Sequence, residues 1–279
     1  MTTPYSPETA TALAIGATTM GYVENGSYVT YDLSLALYNN KVIAEQTQYL
    51  LMDQRRREAQ FRAEFRTAMG ITPKSTPRIL VCGDSLTMGV GSSDGVGYPG
   101  WIGELLDRQN IKATVGRHAQ SGWSIGNVSA GMAAALAANT PDIVTIHIGT
   151  NDAGGNLSNF GSAYTALINQ ILASSPTVKV ACSLIPIAQG GPASYRAGAA
   201  QANTIIGGVV AGMASARVVT ADLRAAHMAA WNSNPALPTT PPGRWTIDGM
   251  HPVDPACLKT AEALLVAVGG WIPGYQAAP

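Results

Sequence analysis

Ser85, Asp248 and His251 are the residues of this chain whose types and settings could do covalent chemistry. A serine hydroxyl is a poor nucleophile near neutral pH and needs a base within hydrogen-bond reach. His251 can be that base, and Asp248 stands three residues before it in D-G-M-H-P. A carboxylate at that offset on a tight loop can reach the imidazole Nδ1. There it would fix the tautomer and stabilise the imidazolium that forms when Nε2 takes the serine proton. Gly249 permits the sharp loop and Pro252 stiffens its exit. Taken alone, the same stretch also reads as a plain turn before a helix start.

The element that would hold Ser85 is a strand. Ile79 to Cys82 is an apolar run between Pro77 and Gly83, the pattern of a short parallel strand buried on both faces. It breaks at Gly83-Asp84-Ser85, which puts the serine at the carboxyl edge of a sheet, where open α/β folds place their ligands. The strand and turn alone are weak evidence, because turns favour Gly, Asp and Ser anyway.

Strand and helix patterns then alternate. Strands are expected at Ile79–Cys82, Lys112–Val115, Asp142–Ile148, Val178–Ile185 and Arg217–Ala221. Helices are expected near Trp101–Gln109, Ile125–Ala138, Phe160–Ser174, Tyr195–Met213 and Asp254–Val268. Apolar strands alternating with helices imply an α/β fold with a parallel sheet covered on both faces, a three-layer α/β/α sandwich.

Three further stretches accompany the serine: Gly122 in A-Q-S-G-W-S, Asn151 in H-I-G-T-N-D, and Asp248 with His251 in D-G-M-H-P. In that order, G-D-S-L-T, S-G-W-S, G-T-N-D and D-G-M-H-P resemble the four sequence blocks of the SGNH (GDSL-type) serine hydrolases and esterases. The resemblance runs roughly from Arg78 to Trp271. It implies a five-stranded parallel sheet of order 2-1-3-4-5 and hydrolysis of ester-linked acyl groups with no metal or cofactor. It also implies an oxyanion hole made of the backbone N–H groups of Ser85 and Gly122 and the side-chain amide of Asn151. The residue types suit those roles, since glycine allows close backbone approach and an amide donates without bringing in a charge. The chain departs from the family pattern after D-G-M-H-P. Many members carry a glycine several residues later, where this one reads V-D-P-A-C-L-K-T, which puts the packing of the last helix in question.

Other chemistry-bearing residues have plainer readings. Asp84 and Asp152 read as braces of their loops, His147 as a mid-strand structural histidine, and His118 and His227 as surface or loop residues. Cys82, Cys182 and Cys257 are an odd number without metal-ligand spacing, so neither a disulfide nor a zinc site is expected. Tyr98, Trp101, Trp123, the loop from Pro186 to Tyr195, and Trp245 could wall an open pocket, although packing is the commoner role of such aromatics.

The 279 residues carry 17 basic and 17 acidic side chains and no formal net charge, which gives no support to a nucleic-acid partner. No apolar run approaches the ~18 residues of a membrane span. The N-terminus, M-T-T-P-Y-S-P-E, lacks the basic start of a signal peptide, so a cytoplasmic or virion-associated protein is expected.

Residues 1–72 lie outside the resemblance. Asn25-Gly26 between two β-favouring runs signals a hairpin over Met20–Tyr31, and Asp32 can cap a long helix to about Met69. Ile71 to Pro77 reads as a linker. A lone hairpin and helix cannot bury their own apolar faces, so they must dock on the catalytic domain as a cap, on sister chains or on a larger assembly; 1–72 is expected to be an attachment or self-association module and 73–279 the hydrolase domain. Carbohydrate or cell-envelope esters are the expected substrates, with a bacteriophage virion component as one setting. The alternatives are an assembly protein that keeps the fold for binding, and a stand-alone cytosolic esterase or thioesterase.

Overall fold

The computed structural model describes residues 19–24, 27–32, 50, 53–186, 193–224 and 250–277. An antiparallel hairpin comes first. Strands β1 (Thr19–Glu24) and β2 (Ser27–Asp32) pair from Thr19 opposite Asp32 to Glu24 opposite Ser27. The turn expected at Asn25-Gly26 lies outside the described residues. Helix α1 over 53–68 is the described part of the helix expected from Asp32 onward.

The chain divides into two compact units, Met1–Glu58 and Ala59–Pro279, so the division falls inside α1 and ahead of the segment 71–77. Within the larger unit the last turns of α1 are held by ion pairs. Arg62 Nε donates to Asp107 Oδ2 at 2.9 Å, and Arg66 donates to both the carboxylate and the carbonyl of Asp107. The segment 71–77 is also tied down. Lys74 N donates to Asn110 O at 2.8 Å, Ser75 Oγ to Pro273 O at 2.8 Å, and Thr114 N to Pro77 O at 2.9 Å. Its backbone groups pair with neighbouring loops, so the proline-rich composition marks an extended strap.

Beyond that strap the chain alternates as its patterns predict. The order is β3 (Arg78–Gly83), α2 (Ser85–Met88), α3 (Tyr98–Arg108), β4 (Thr114–Ala119), α4 (Ile125–Asn139) and β5 (Ile143–His147). It continues with α5 (Phe160–Ser174), β6 (Lys179–Leu184), α6 (Ala193–Met213), β7 (Val218–Asp222) and α7 (Asp254–Val268). The strands form one five-stranded sheet, β4-β3-β5-β6-β7, with every neighbouring pair parallel. In strand numbering that is the expected order 2-1-3-4-5.

β3 shows why its apolar residues run without a break. Leu80 and Cys82 face a core built with Val128 and Met132 of α4, Leu167 and Ile168 of α5, and Ala202 and Ile206 of α6. Ile79 and Val81 face the opposite core, with Ile102 and Leu106 of α3 and Ala261, Leu264 and Leu265 of α7. A strand covered on both sides has no polar face to write into its sequence.

β4 begins later and runs longer than the expected Lys112–Val115. It is an edge strand, where Thr114 and Arg117 are exposed, so its apolar signal marks only its start. The departure after D-G-M-H-P leaves α7 well packed. Pro255 occupies its first turn, and Ala256 and Cys257 are fully buried, small enough to sit against the neighbouring layer. No helix among the described residues is long and apolar enough to cross a membrane.

Candidate active site

Ser85, Gly122 and Asn151 follow three adjacent strands, β3, β4 and β5, at the carboxyl edge of the sheet. The connections from β3 lead to β4 on one side and, after β4, to β5 on the other. The crevice at that reversal is the topological switch point, where open α/β sheets bind ligands.

Ser85 is the first residue of α2 and is 5% exposed. The turn that carries it is crowded. A Cβ at Gly83 would come within 2.1 Å of Thr87 Oγ1 and 2.3 Å of the His147 carbonyl, so no other residue fits there without moving the turn. Asp84 caps α2, its Oδ1 accepting from Leu86 N at 3.0 Å. His251 immediately precedes the segment that starts α7, and its Nε2 lies 2.8 Å from Ser85 Oγ. In the tautomer with its proton on Nδ1, Nε2 accepts the serine hydroxyl, the arrangement a general base needs. Asp248 lies outside the described residues.

Asn151 and the Gly122 loop are laced together. Asn151 Nδ2 donates to the Trp123 carbonyl at 2.9 Å, and the Asp152 carboxylate accepts from Ile125 N at 3.2 and 3.3 Å. A primary amide has two N–H donors, and one N–H of Asn151 holds this loop. Gly122 is exposed, with φ of 82°. Ser85 at the start of α2, and Gly122 and Asn151 in the turns after β4 and β5, therefore follow the carboxyl ends of three adjacent strands, with His251 brought against Ser85.

Asp84 and Asp152 are the braces their positions suggested. Burial lifts the Asp84 carboxyl to about 6, opposed in part by the Leu86 amide and the charge of His251. Asp152 is also raised, again by burial and against the pull of the Ile125 amide. Because Asp84 binds its proton more tightly in the fold than in the unfolded chain, it favours the fold fully below about pH 4. That contribution is lost as pH rises through about 6, in all roughly 3 kcal/mol. Asn at position 84 can still cap the helix. Asp84→Asn should therefore gain stability relative to the parent by about that amount between pH 4 and pH 7, as read by denaturant unfolding. A difference that stays constant over the range would show that the carboxyl ionises as freely in the fold as in the unfolded chain.

Several secondary readings change in three dimensions. Tyr98 is an interior residue and not a pocket wall. It is 1% exposed, its hydroxyl is 2.9 Å from Thr87 Oγ1, and burial pushes the phenol well up. His147 is the last residue of β5 and is buried against the Tyr98 ring, with centroids 5.6 Å apart. His118 is no loop residue. It sits on β4, Nε2 is 3.0 Å from the Val128 carbonyl, and its ring meets Trp123 edge-on at 5.0 Å. Trp123 thus has packing on one side while its carbonyl orients Asn151, a link between sites that no local pattern announces. Trp245, His227 and residues 187–192 of the expected wall lie outside the described residues. The three cysteines are buried free thiols, and burial lifts Cys182 and Cys257 to about 12. Among the described residues no group of three or more His, Cys, Asp or Glu side chains is placed to hold a metal ion.

Residues 81–254 match the sequence model of the GDSL-like lipase/acylhydrolase family. No curated protein matches the chain. Solved structures of similar fold include a family 3 carbohydrate esterase from Clostridium thermocellum, with TM-score 0.55, 21% identity, and 71% of this chain and 97% of that one covered. A catalytic variant of an acetylxylan esterase from Geobacillus stearothermophilus aligns with TM-score 0.57 and 19% identity over 75% of this chain and 98% of that one. An α/β hydrolase enzyme from the metagenome of Lake Arreo, Spain, aligns with TM-score 0.55 and 18% identity over 71% and 96%. At these identities the likeness is one of fold.

Proposed function

The chain belongs to the GDSL-like lipase/acylhydrolase family and is an SGNH-type serine hydrolase, and from that premise we propose that it removes short acyl groups from carbohydrate esters with Ser85 as nucleophile and His251 as base. The observation that carries this reading is the 2.8 Å contact between His251 Nε2 and Ser85 Oγ at the carboxyl end of β3. In the first half-reaction the Ser85 proton passes to His251 as Oγ attacks the ester carbonyl. The resulting oxyanion takes hydrogen bonds from the N–H groups of Ser85 and Gly122 and the Asn151 amide. Collapse expels the alcohol, which leaves with the proton from His251, and the acyl group stays on Ser85. Water then attacks the acyl-enzyme with His251 again as base, releasing the acid and restoring the serine. Asp248, three residues before His251 in sequence, is the group proposed to accept the Nδ1 proton in a hydrogen bond and stabilise the imidazolium.

A carbohydrate acetyl ester as substrate is supported by similarity to the carbohydrate and acetylxylan esterases. The test compares p-nitrophenyl acetate with longer acyl homologues and follows acetate release from acetylated xylo-oligosaccharides. A preference for acetyl with deacetylation of the oligosaccharide is expected. A preference for long acyl chains and no release from the oligosaccharide would overturn the substrate assignment.

Removing Asn151 tests the oxyanion role. Asn151→Ala should lower kcat by roughly 10²–10³ with a smaller change in KM, because its hydrogen bond strengthens as charge develops on the oxygen. A change confined to KM would assign Asn151 to ground-state binding.

Residues 1–72 are proposed to attach or self-associate, with a virion as one setting. Phe61, Phe65 and Met69 recur at helical spacing along α1 and its C-terminal end, and all three are at least half exposed, at 68%, 50% and 62%. Sedimentation of the full chain against a chain beginning at Pro73 decides this. A monomeric full chain would dismiss self-association.

A further inference from the structure

The nucleophile and the base are 166 residues apart in the sequence, yet meet at hydrogen-bond distance. What holds His251 there is a loop that begins at the nucleophile's own helix. Val90 N donates to Ser85 O at 3.1 Å, and Ser92 donates to Gly89 O through both its N–H, at 3.0 Å, and its Oγ, at 2.7 Å. That loop is therefore tied to α2.

From there it grips the other segment at two points. Gly91, at φ of 96°, lies so close that a Cβ would come within 2.8 Å of the Pro252 carbonyl oxygen and 3.1 Å of that of His251. Ser93 N donates to Asp254 Oδ1 at 2.9 Å, and Ser93 Oγ donates to Asp254 Oδ2. On the far side the segment is fastened to α7, with Cys257 N donating to Val253 O at 2.9 Å. His251 is thus carried on a short stretch held between the α2 loop and the start of α7. Besides the His251–Ser85 contact, two hydrogen bonds from Ser93 to the Asp254 carboxylate join the α2 loop to this segment among the described residues.

We propose that Ser93 and Asp254 are positioning residues for the reaction, clamping the segment that carries His251 to the loop that leaves the Ser85 helix. The proposal rests on the assignment of Ser85 and His251 as nucleophile and base. Neither residue touches the reacting atoms. Their effect is on the Ser85–His251 geometry, where a displacement of about 1 Å can cost up to 10² in rate. The polar bonds to an ionised acceptor are of the stronger, directional kind, so a hydroxyl-bearing side chain should be required at 93 and a carboxylate at 254.

The experiment measures kcat and KM on p-nitrophenyl acetate, and the rate of fluorophosphonate labelling, for Ser93→Ala, Ser93→Thr, Asp254→Asn and the Ser93→Ala/Asp254→Asn double variant. Ser93→Ala should lower kcat and the labelling rate together, about tenfold, with KM within about twofold. Threonine, which keeps the hydroxyl, should recover most of the rate. The double variant should lose no more than the worse single, the signature of two residues acting through one contact. Unchanged kcat in Ser93→Ala, a loss in KM alone, failure of threonine to rescue, or strictly additive losses would each overturn the clamp. A parent protein that does not label at Ser85 would instead overturn the nucleophile assignment on which the clamp rests. A parent that labels, with Ser93→Ala labelling as fast, overturns the clamp alone.

Discussion

Ser85→Ala should abolish fluorophosphonate labelling and lower kcat by as much as about 10⁶, the scale on which a serine hydrolase loses its covalent step. Thermal stability should hardly change. Ser85 is only 5% exposed, but its Oγ faces His251 and not the apolar core, and the substitution removes a single atom. The cap on α2 comes from the Asp84 side chain to Leu86 N, which the substitution leaves in place. His251 remains and loses the hydroxyl across from it, a group that solvent can replace at the mouth of the site. Labelling followed by peptide mapping is the decisive measurement. A variant that still labels would place the attacked residue elsewhere, and the 2.8 Å contact would then be a structural hydrogen bond.

Asp248→Asn is the second large effect, an expected loss of about 10²–10⁴ in kcat with KM little changed. His251 Nε2 faces Ser85, so its other nitrogen must carry the proton if Nε2 is to accept the hydroxyl. A carboxylate can only accept, and so enforces that tautomer. A carboxamide can also turn its NH₂ toward Nδ1 and hold the ring in the opposite form, with Nε2 protonated and useless as a base. The two variants report on different things. Ser85→Ala removes the proposed attacking atom, whereas Asp248→Asn should still label with fluorophosphonate, only far more slowly. A kcat within about threefold of the parent would show that some other group orients His251.

The sequence by itself determined those features that local chemistry writes out in consecutive residues. Ile79 to Cys82 had to be a strand covered on both faces, because four apolar residues in a row leave no polar side for water. α7 is bounded as expected at Asp254 and Val268, where Pro255 and Gly269 act at its ends. The hairpin expected over Met20–Tyr31 is present as β1 and β2, paired from Thr19 opposite Asp32 to Glu24 opposite Ser27. Ser85 and His251 could be singled out as candidates because the strand-end turn and the loop before α7 each carry their own short motif.

The tertiary structure alone decided whatever depends on residues far apart in the chain. Tyr98 could have lined a pocket or a core, and the layer made by α3 and α7 put it inside. The extent of β4 was blurred because an edge strand need not be apolar along its length. Asp84 reads as an ordinary turn residue until the turn is packed beneath Ser85, where burial raises its carboxyl to about 6. The clamp of Ser93 on Asp254 spans 161 residues and joins two loops that look unremarkable in sequence. Periodicity and turn chemistry act over a few residues, so they can place a serine at a strand end and a histidine before a helix. Bringing those two side chains to 2.8 Å depends on the order of strands in the sheet and on loops that close across it, and that information exists only once the chain is folded.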